Sequence, residues 1–137
     1  MNHYTIDDIT LGMTVEFSKQ ITQEMMENFQ KISGDDSSIH IDSSFAKKRG
    51  FKDRVVYGML SSVFFSTIVG VYLPGENGLL KSIECDYLQP VYIDDVLHIE
   101  AMIEAVYKTV GLIKIKVIIK NDKDDTVASG KIKALVV

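Results

Sequence analysis

GDDSSIHIDSSFAKKRGFKDRVVYGMLSSVFFSTIVG, residues 34–70, is the stretch around which the rest of the chain is organised. Its first part sets Asp35 and His40 five positions apart in a polar loop rich in Asp and Ser. From about Tyr57 it becomes an apolar helix interrupted only by glycine and small hydroxyl residues, with Gly58 near its start. A carboxylate and an imidazole beside such a helix can activate water next to an apolar substrate. The run from Val55 to Tyr72 would measure about 27 Å as a helix, close to the thickness of a bilayer core. It carries Ser61, Ser62, Ser66, Thr67 and two glycines, however, and charged residues stand just before it. It therefore reads as the buried centre of a soluble fold.

Outward from this stretch the remaining elements follow from periodicity and capping. Upstream, residues 4–12 read as an irregular lead-in and Thr14 to Gln20 as a short strand. Thr22 can cap a helix whose first turn holds Gln23 and Glu24 and whose apolar face holds Met25, Met26 and Phe29; Gly34 ends it. Asp42 can cap a second helix from Ser43 to Arg49, stopped by Gly50. Downstream, Pro74-Gly75 closes the apolar helix and everything beyond reads as strand.

Leu79 to Leu88 places Ile83, Cys85 and Tyr87 on one face and Ser82, Glu84 and Asp86 on the other. Val96 to Lys108 sets Leu97, Ile99, Ala101 and Ile103 against His98, Glu100, Met102 and Glu104. Leu112 to Lys120 repeats the alternation with Ile113, Ile115, Val117 and Ile119, and Ile132, Ala134 and Val136 share a face of the last strand. The short turn from Lys108 to Gly111 predicts an antiparallel meander. Helices segregated from strands imply an α+β fold, an antiparallel sheet wrapped around one long apolar helix.

Bulk properties bound the rest. The 137 residues fit one domain, 1–137, able to bury about two-thirds of its unfolded surface. A net charge of −4 gives no broad basic field for nucleic acid, and the single cysteine excludes an internal disulfide. The lone cysteine and an N-terminus without a basic flank or apolar core suit a cytoplasmic protein. No metal-ligand spacing, no G-x-S-x-G elbow and no phosphate-binding glycine loop is present. His98 on the polar face of its strand and His3 in the lead-in are poor catalytic candidates, and Cys85 reads as core. Asp36 and Asp42 read as turn and cap residues. Lys47, Lys48, Arg49, Lys52 and Arg54 form one basic cluster, either a solvated face or a contact for phosphate groups or an acidic partner.

The run D-D-S-S-I-H-I-D, followed by Ala46, Phe51 and V-V-Y-G-M-L, resembles the MaoC-like, (R)-specific enoyl-CoA hydratase family. The resemblance continues through YGMLSSVFFSTIVGVYLPG to Q-P-V-Y-I-D-D-V at 89–96 and covers the chain from about residue 14 onward. It implies the hot-dog fold, with a five-stranded antiparallel sheet, and reversible hydration of a trans-2-enoyl thioester to its (R)-3-hydroxyacyl form. By that resemblance Asp35 and His40 activate the water, the Gly58 N–H receives the thioester oxygen, and Ser66 supports the pair. It also implies no cofactor beyond the CoA or acyl carrier protein thioester, and at least a homodimer, which would hide a sheet edge.

Three positions depart from the family pattern. Ser37-Ser38 replaces Asn-Pro, which implies a less rigid loop; Tyr57 replaces the His before the glycine; Asp94-Asp95 replaces Gly-Asp. Without the resemblance Asp35 could serve only as a turn cap, His40 as an ordinary loop histidine, and Ser66 could bond back to its own helix. Two other functions stay open: a hot-dog thioesterase, in which water attacks the carbonyl, and a non-catalytic acyl-thioester-binding protein. Met59, Phe64 and Phe65 could size an acyl pocket or simply pack the core.

Overall fold

The computed structural model describes residues Met1–Val137. Five strands form one antiparallel sheet: β1 (Thr14–Gln20), β2 (Gly78–Tyr87), β3 (Val96–Tyr107), β4 (Leu112–Lys120) and β5 (Thr126–Val136), in the order β1-β3-β4-β5-β2. The meander expected from the short turns is β3-β4-β5, whereas β2 crosses over to pair with β5. Alternation sets the register. Ile103, Ile115 and Ile132 lie opposite one another across β3, β4 and β5, all fully buried. Each such isoleucine contributes about 1.5–3 kcal/mol of apolar burial.

The helices precede the sheet's last four strands. Helix α1 (Gln23–Ser33) starts where Thr22 Oγ1 accepts the Met25 N–H at 3.2 Å and ends at Gly34, whose φ of 70° is left-handed. Helix α3 (Ser43–Lys48) is capped by Asp42, whose carboxylate accepts the Phe45 N–H at 3.0 Å. Between them lies a one-turn helix, α2 (Ser38–Ile41), where the sequence reads as loop. Four residues are too few to show a helical period.

The apolar helix lies against the sheet, but not as one regular α-helix. It runs in three stretches: Gly58–Ser62, Phe64–Thr67 and the π-helical Ile68–Tyr72. The interruption at Val63 has a local cause. Ser62 Oγ donates to the Met59 carbonyl at 3.1 Å and competes for the acceptor that the Val63 N–H would otherwise take. Phe64, Phe65, Ile68 and Val69 pack into a single core cluster with the inward faces of the strands. Gly130 on β5 admits the Phe65 ring, since a Cβ there would sit 2.9 Å from it and 2.1 Å from the Glu84 carbonyl oxygen.

The core stops short of β2. Ile83 lies opposite Ile132 and so continues the isoleucine row, yet it is 43% exposed. Tyr87 is also exposed and Cys85 is half-buried, so the expected buried face of this strand is an apolar edge. Alternation distinguishes the two faces of a strand but not a covered strand from an edge one.

Candidate active site

The loop after α1 holds the carboxylate. Asp35 Oδ1 accepts both the N–H (2.9 Å) and the hydroxyl (2.5 Å) of Ser37, and the Asp35 N–H donates to Ser33 Oγ at 3.1 Å. These bonds make up for the stiffness that Asn-Pro would have supplied, so Ser37-Ser38 does not leave the loop untethered. The Ser37 hydroxyl, then its N–H, holds the Asp35 carboxyl below its ordinary pKa, because both bond to the charged form. Asp35 is therefore ionised at neutral pH.

Helix α2 presents the imidazole. His40 Nδ1 lies 2.7 Å from the Val55 carbonyl oxygen, which can only accept, so Nδ1 carries the proton and the neutral ring keeps its lone pair on Nε2. Nε2 stands 4.0 Å from Asp35 Oδ2. That distance is too long for a direct hydrogen bond. It leaves both atoms free to bond one small molecule between them.

His40 forms part of the wall of a cavity of about 340 Å³. Phe51, Val55, Val56, Val91 and Val127 make most of the rest of the wall apolar, and Gly58 and Ser61 reach it from the start of the central helix. Tyr87 lies across the glycine: a Cβ on Gly58 would be 3.3 Å from its ring. The Tyr87 hydroxyl is 2.8 Å from Ser62 Oγ, which fixes the ring over the helix start.

Tyr57 is buried behind the pair. Its hydroxyl donates to the Asp35 carbonyl at 2.8 Å, and its ring centroid lies 4.1 Å from that of His40 and 4.8 Å from that of Phe29.

The structure thus brings together Asp35, His40, Gly58 and Tyr57, and within the chain it does not bring Ser66 to them. Met59, Val63 and Ser66 share one stripe of the central helix, and all three are exposed. Ser66 makes no side-chain hydrogen bond and does not border the cavity; Ser61 and Ser62, four and five residues earlier, are the serines beside Gly58 and Tyr87. Met59 is 68% exposed and does not border the cavity, while Phe64 and Phe65 are core. Sequence reasoning missed Tyr87, Ser61 and the Val55 carbonyl, none of which carries a local signal.

The other assignments are plain. His98 bonds Ser18 and Asp122, and His3 bonds Glu76, and neither histidine lines the cavity. Asp36 accepts from Gln30 at 2.8 Å, and Asp94 takes a φ of 73°, the conformation a glycine would favour. In the basic segment Arg49 lies over Phe45, Lys52 over Tyr92, and Arg54 bonds Gln23.

The sequence model described as "MaoC like domain" matches residues 8–127. The chain belongs to the MaoC-like domain family. Among curated relatives, the 3-hydroxybutyryl-CoA dehydratase of Methylorubrum extorquens is 28% identical over 94 residues, 69% of this chain and 60% of that protein. The (R)-specific enoyl-CoA hydratase of Rhodospirillum rubrum is 30% identical over 95 residues, 69% of this chain and 65% of that protein. The matched part therefore spans less than two-thirds of either relative. Among solved structures, an (R)-hydratase from A. caviae involved in PHA biosynthesis superposes with a TM-score of 0.89 at 22% identity, over 94% of this chain and 98% of that one. This likeness carries the fold: the MaoC-like chain has the hot-dog architecture. No helix in it is long and apolar enough to cross a membrane.

Proposed function

We propose that this MaoC-like protein reversibly hydrates a trans-2-enoyl thioester to the (R)-3-hydroxyacyl thioester. The observation that carries the reading is the 4.0 Å gap between ionised Asp35 Oδ2 and Nε2 of His40, itself part of the wall of an apolar cavity. One oxygen about 2.8 Å from each atom would bond both. The relatives named as enoyl-CoA hydratase and hydroxyacyl dehydratase support the same chemistry.

In this reading the Nε2 lone pair takes one proton of water while Asp35 accepts a hydrogen bond from the other. The oxygen bonds C3, and the π electrons pass through C2 to the thioester oxygen, where the Gly58 N–H, at a helix start, receives the negative charge. The imidazolium then returns its proton to C2. Proton and oxygen come from the same side of the double bond, which makes the addition syn. Proton transfer by such a group contributes about 10²–10⁴-fold. No cofactor enters beyond the carrier thioester, CoA or acyl carrier protein, and the reaction is placed in the cytoplasm.

The protein acts as a homodimer in this proposal. β2 has one free edge, and Leu79, Leu80, Ile83 and Tyr87 on it are exposed beside the exposed Met59 and Val63. A second copy pairing along β2 would cover them.

The test follows loss of enoyl conjugation in crotonyl-CoA, with Asp35→Asn and His40→Asn alongside, then a longer enoyl-CoA and an enoyl carrier protein. Turnover that falls at least 100-fold in both variants is expected. Release of free thiol instead would identify a thioesterase, and acyl-thioester binding without turnover of any of these substrates would identify a binding protein.

A further inference from the structure

Tyr57 stands where three parts of the site meet. It is 2% exposed, and the phenol crosses 22 positions of sequence to donate to the Asp35 carbonyl at 2.8 Å. One ring packs on two others, His40 at 4.1 Å with an interplanar angle of 31° and Phe29 at 4.8 Å. Its own carbonyl accepts the Leu60 N–H at 3.0 Å in the first turn of the central helix, next to Gly58.

The two working groups are each incompletely held without it. His40 has one anchor, Nδ1 on the Val55 carbonyl, about which the imidazole can still rock. A ring face against the imidazole removes that freedom. Asp35 has its carboxylate tied to Ser37, but Ser37 belongs to the same exposed loop. The phenol ties the loop's main chain to a buried residue of another element. Burial first, then the nearby Asp35 and Asp36, pushes the Tyr57 hydroxyl above its ordinary pKa, so it stays a donor.

We infer that Tyr57 is the positioning residue of this site: through its hydroxyl on Asp35 and its ring on His40 it sets the gap between carboxylate and imidazole. The inference rests on the hydratase reading for its kinetic consequence, though not for its geometry. Tyr57 itself touches no reacting atom. A substitution that loosens it should therefore lower turnover and spare binding, since a misplacement of about 1 Å can cost about 100-fold.

Tyr57→Phe keeps the ring and removes the bond to Asp35. The expected result is a kcat lower by about tenfold or more with KM within about twofold. In an Asp35→Asn background the same change should cost less than about twofold, because a residue acting through Asp35 has nothing left to position. Equal losses in the two backgrounds, or none in the wild type, would overturn the inference.

A second readout is independent of turnover and separates this inference from the hydratase reading. The NMR signals of the His40 ring protons should be displaced by the Tyr57 ring, stay displaced in Tyr57→Phe, and return toward free-imidazole values in Tyr57→Leu. The Asp36 amide, on the peptide whose carbonyl accepts the phenol, should move in Tyr57→Phe. If the wild type proved inactive and these shifts were still seen, the function would be wrong and the positioning right. An Asp36 amide unmoved in Tyr57→Phe would overturn the positioning itself.

Discussion

Replacing Gly58 by Ala sets two effects against each other, and their magnitudes come from the structure. The φ of Gly58 lies outside the left-handed region, so alanine fits the backbone. Removing a glycine there reduces the freedom of the unfolded chain and stabilises by about 0.4–1 kcal/mol. Against this, the new Cβ would lie 3.3 Å from Cδ1 and Cε1 of Tyr87, so the ring must move by a few tenths of an ångström. Overpacking in a closed core costs about 1–3 kcal/mol. Tyr87 is 48% exposed as a residue and borders the cavity, so its ring can slide, straining mainly its hydroxyl contact with Ser62. That contact is worth about 1 kcal/mol. The terms nearly cancel, and stability should change by less than about 1 kcal/mol, checked by denaturant midpoint.

Activity should not be spared. The methyl group enters the cavity beside His40, where a reacting carbonyl would approach the helix start, and displacement of the substrate by about 1 Å lowers kcat/KM by about 100-fold. The assay is enoyl thioester hydration at several substrate concentrations, with Met59→Ala as the control on the exposed stripe. Wild-type kcat/KM in Gly58→Ala would refute the placement of the substrate carbonyl at this helix start. A large loss of stability would refute the account of Tyr87 as a mobile wall.

Ser37→Ala removes the hydroxyl that most lowers the Asp35 carboxyl, so its titration midpoint should rise toward the ordinary value of about 3.9, as read by carbon NMR of that carboxyl. The sign follows from linkage. A folded value below the unfolded one contributes stability that is present above the unfolded pKa and lost as pH falls through the folded one; the substitution should shrink that acid-side loss, and a midpoint unchanged in Ser37→Ala would refute the assignment. Ile83→Lys places a charge on the apolar edge of β2 and should convert a dimer to a monomer in sedimentation while leaving the circular dichroism intact. A dimer that survives both Ile83→Lys and Val63→Lys would place the interface elsewhere.

Much of the fold was legible because burial on one face leaves a period. The bounds of β1 and β4, the Thr22 and Asp42 caps and the Gly34 stop are where alternation and capping chemistry put them. What was not legible depends on contacts across the chain. The exposure of Ile83 reflects the edge position of β2, which has a neighbouring strand only on its β5 side. The break at Val63 reflects one hydroxyl on one carbonyl, and with Met59 and Val63 exposed on the same stripe Ser66 faces outward. Within the candidate site, Asp35, His40 and Gly58 were picked out by the family resemblance rather than by spacing alone. The partners that orient them were not, because Val55 contributes only a main-chain oxygen and Tyr87 lies on a strand whose alternation says nothing of the helix it overlies.

The same fact bears on the departures of this candidate site from its family pattern. The groups that orient it are mostly main-chain acceptors: the Val55 carbonyl for His40, the Asp35 carbonyl for Tyr57 and the Met59 carbonyl for Ser62. A carbonyl asks only for a donor at the right distance and is indifferent to the side chain that supplies it. At position 57, where the pattern has an imidazole, the phenol supplies its donor to the Asp35 carbonyl. Ser37 can likewise replace the stiffness of Asn-Pro with two bonds to the carboxylate two residues before it. What has to persist at position 57 is a buried ring bearing a donor. By that reasoning Tyr57→His is the milder change at this position and Tyr57→Leu the severe one, because leucine loses both the ring against His40 and the bond to Asp35.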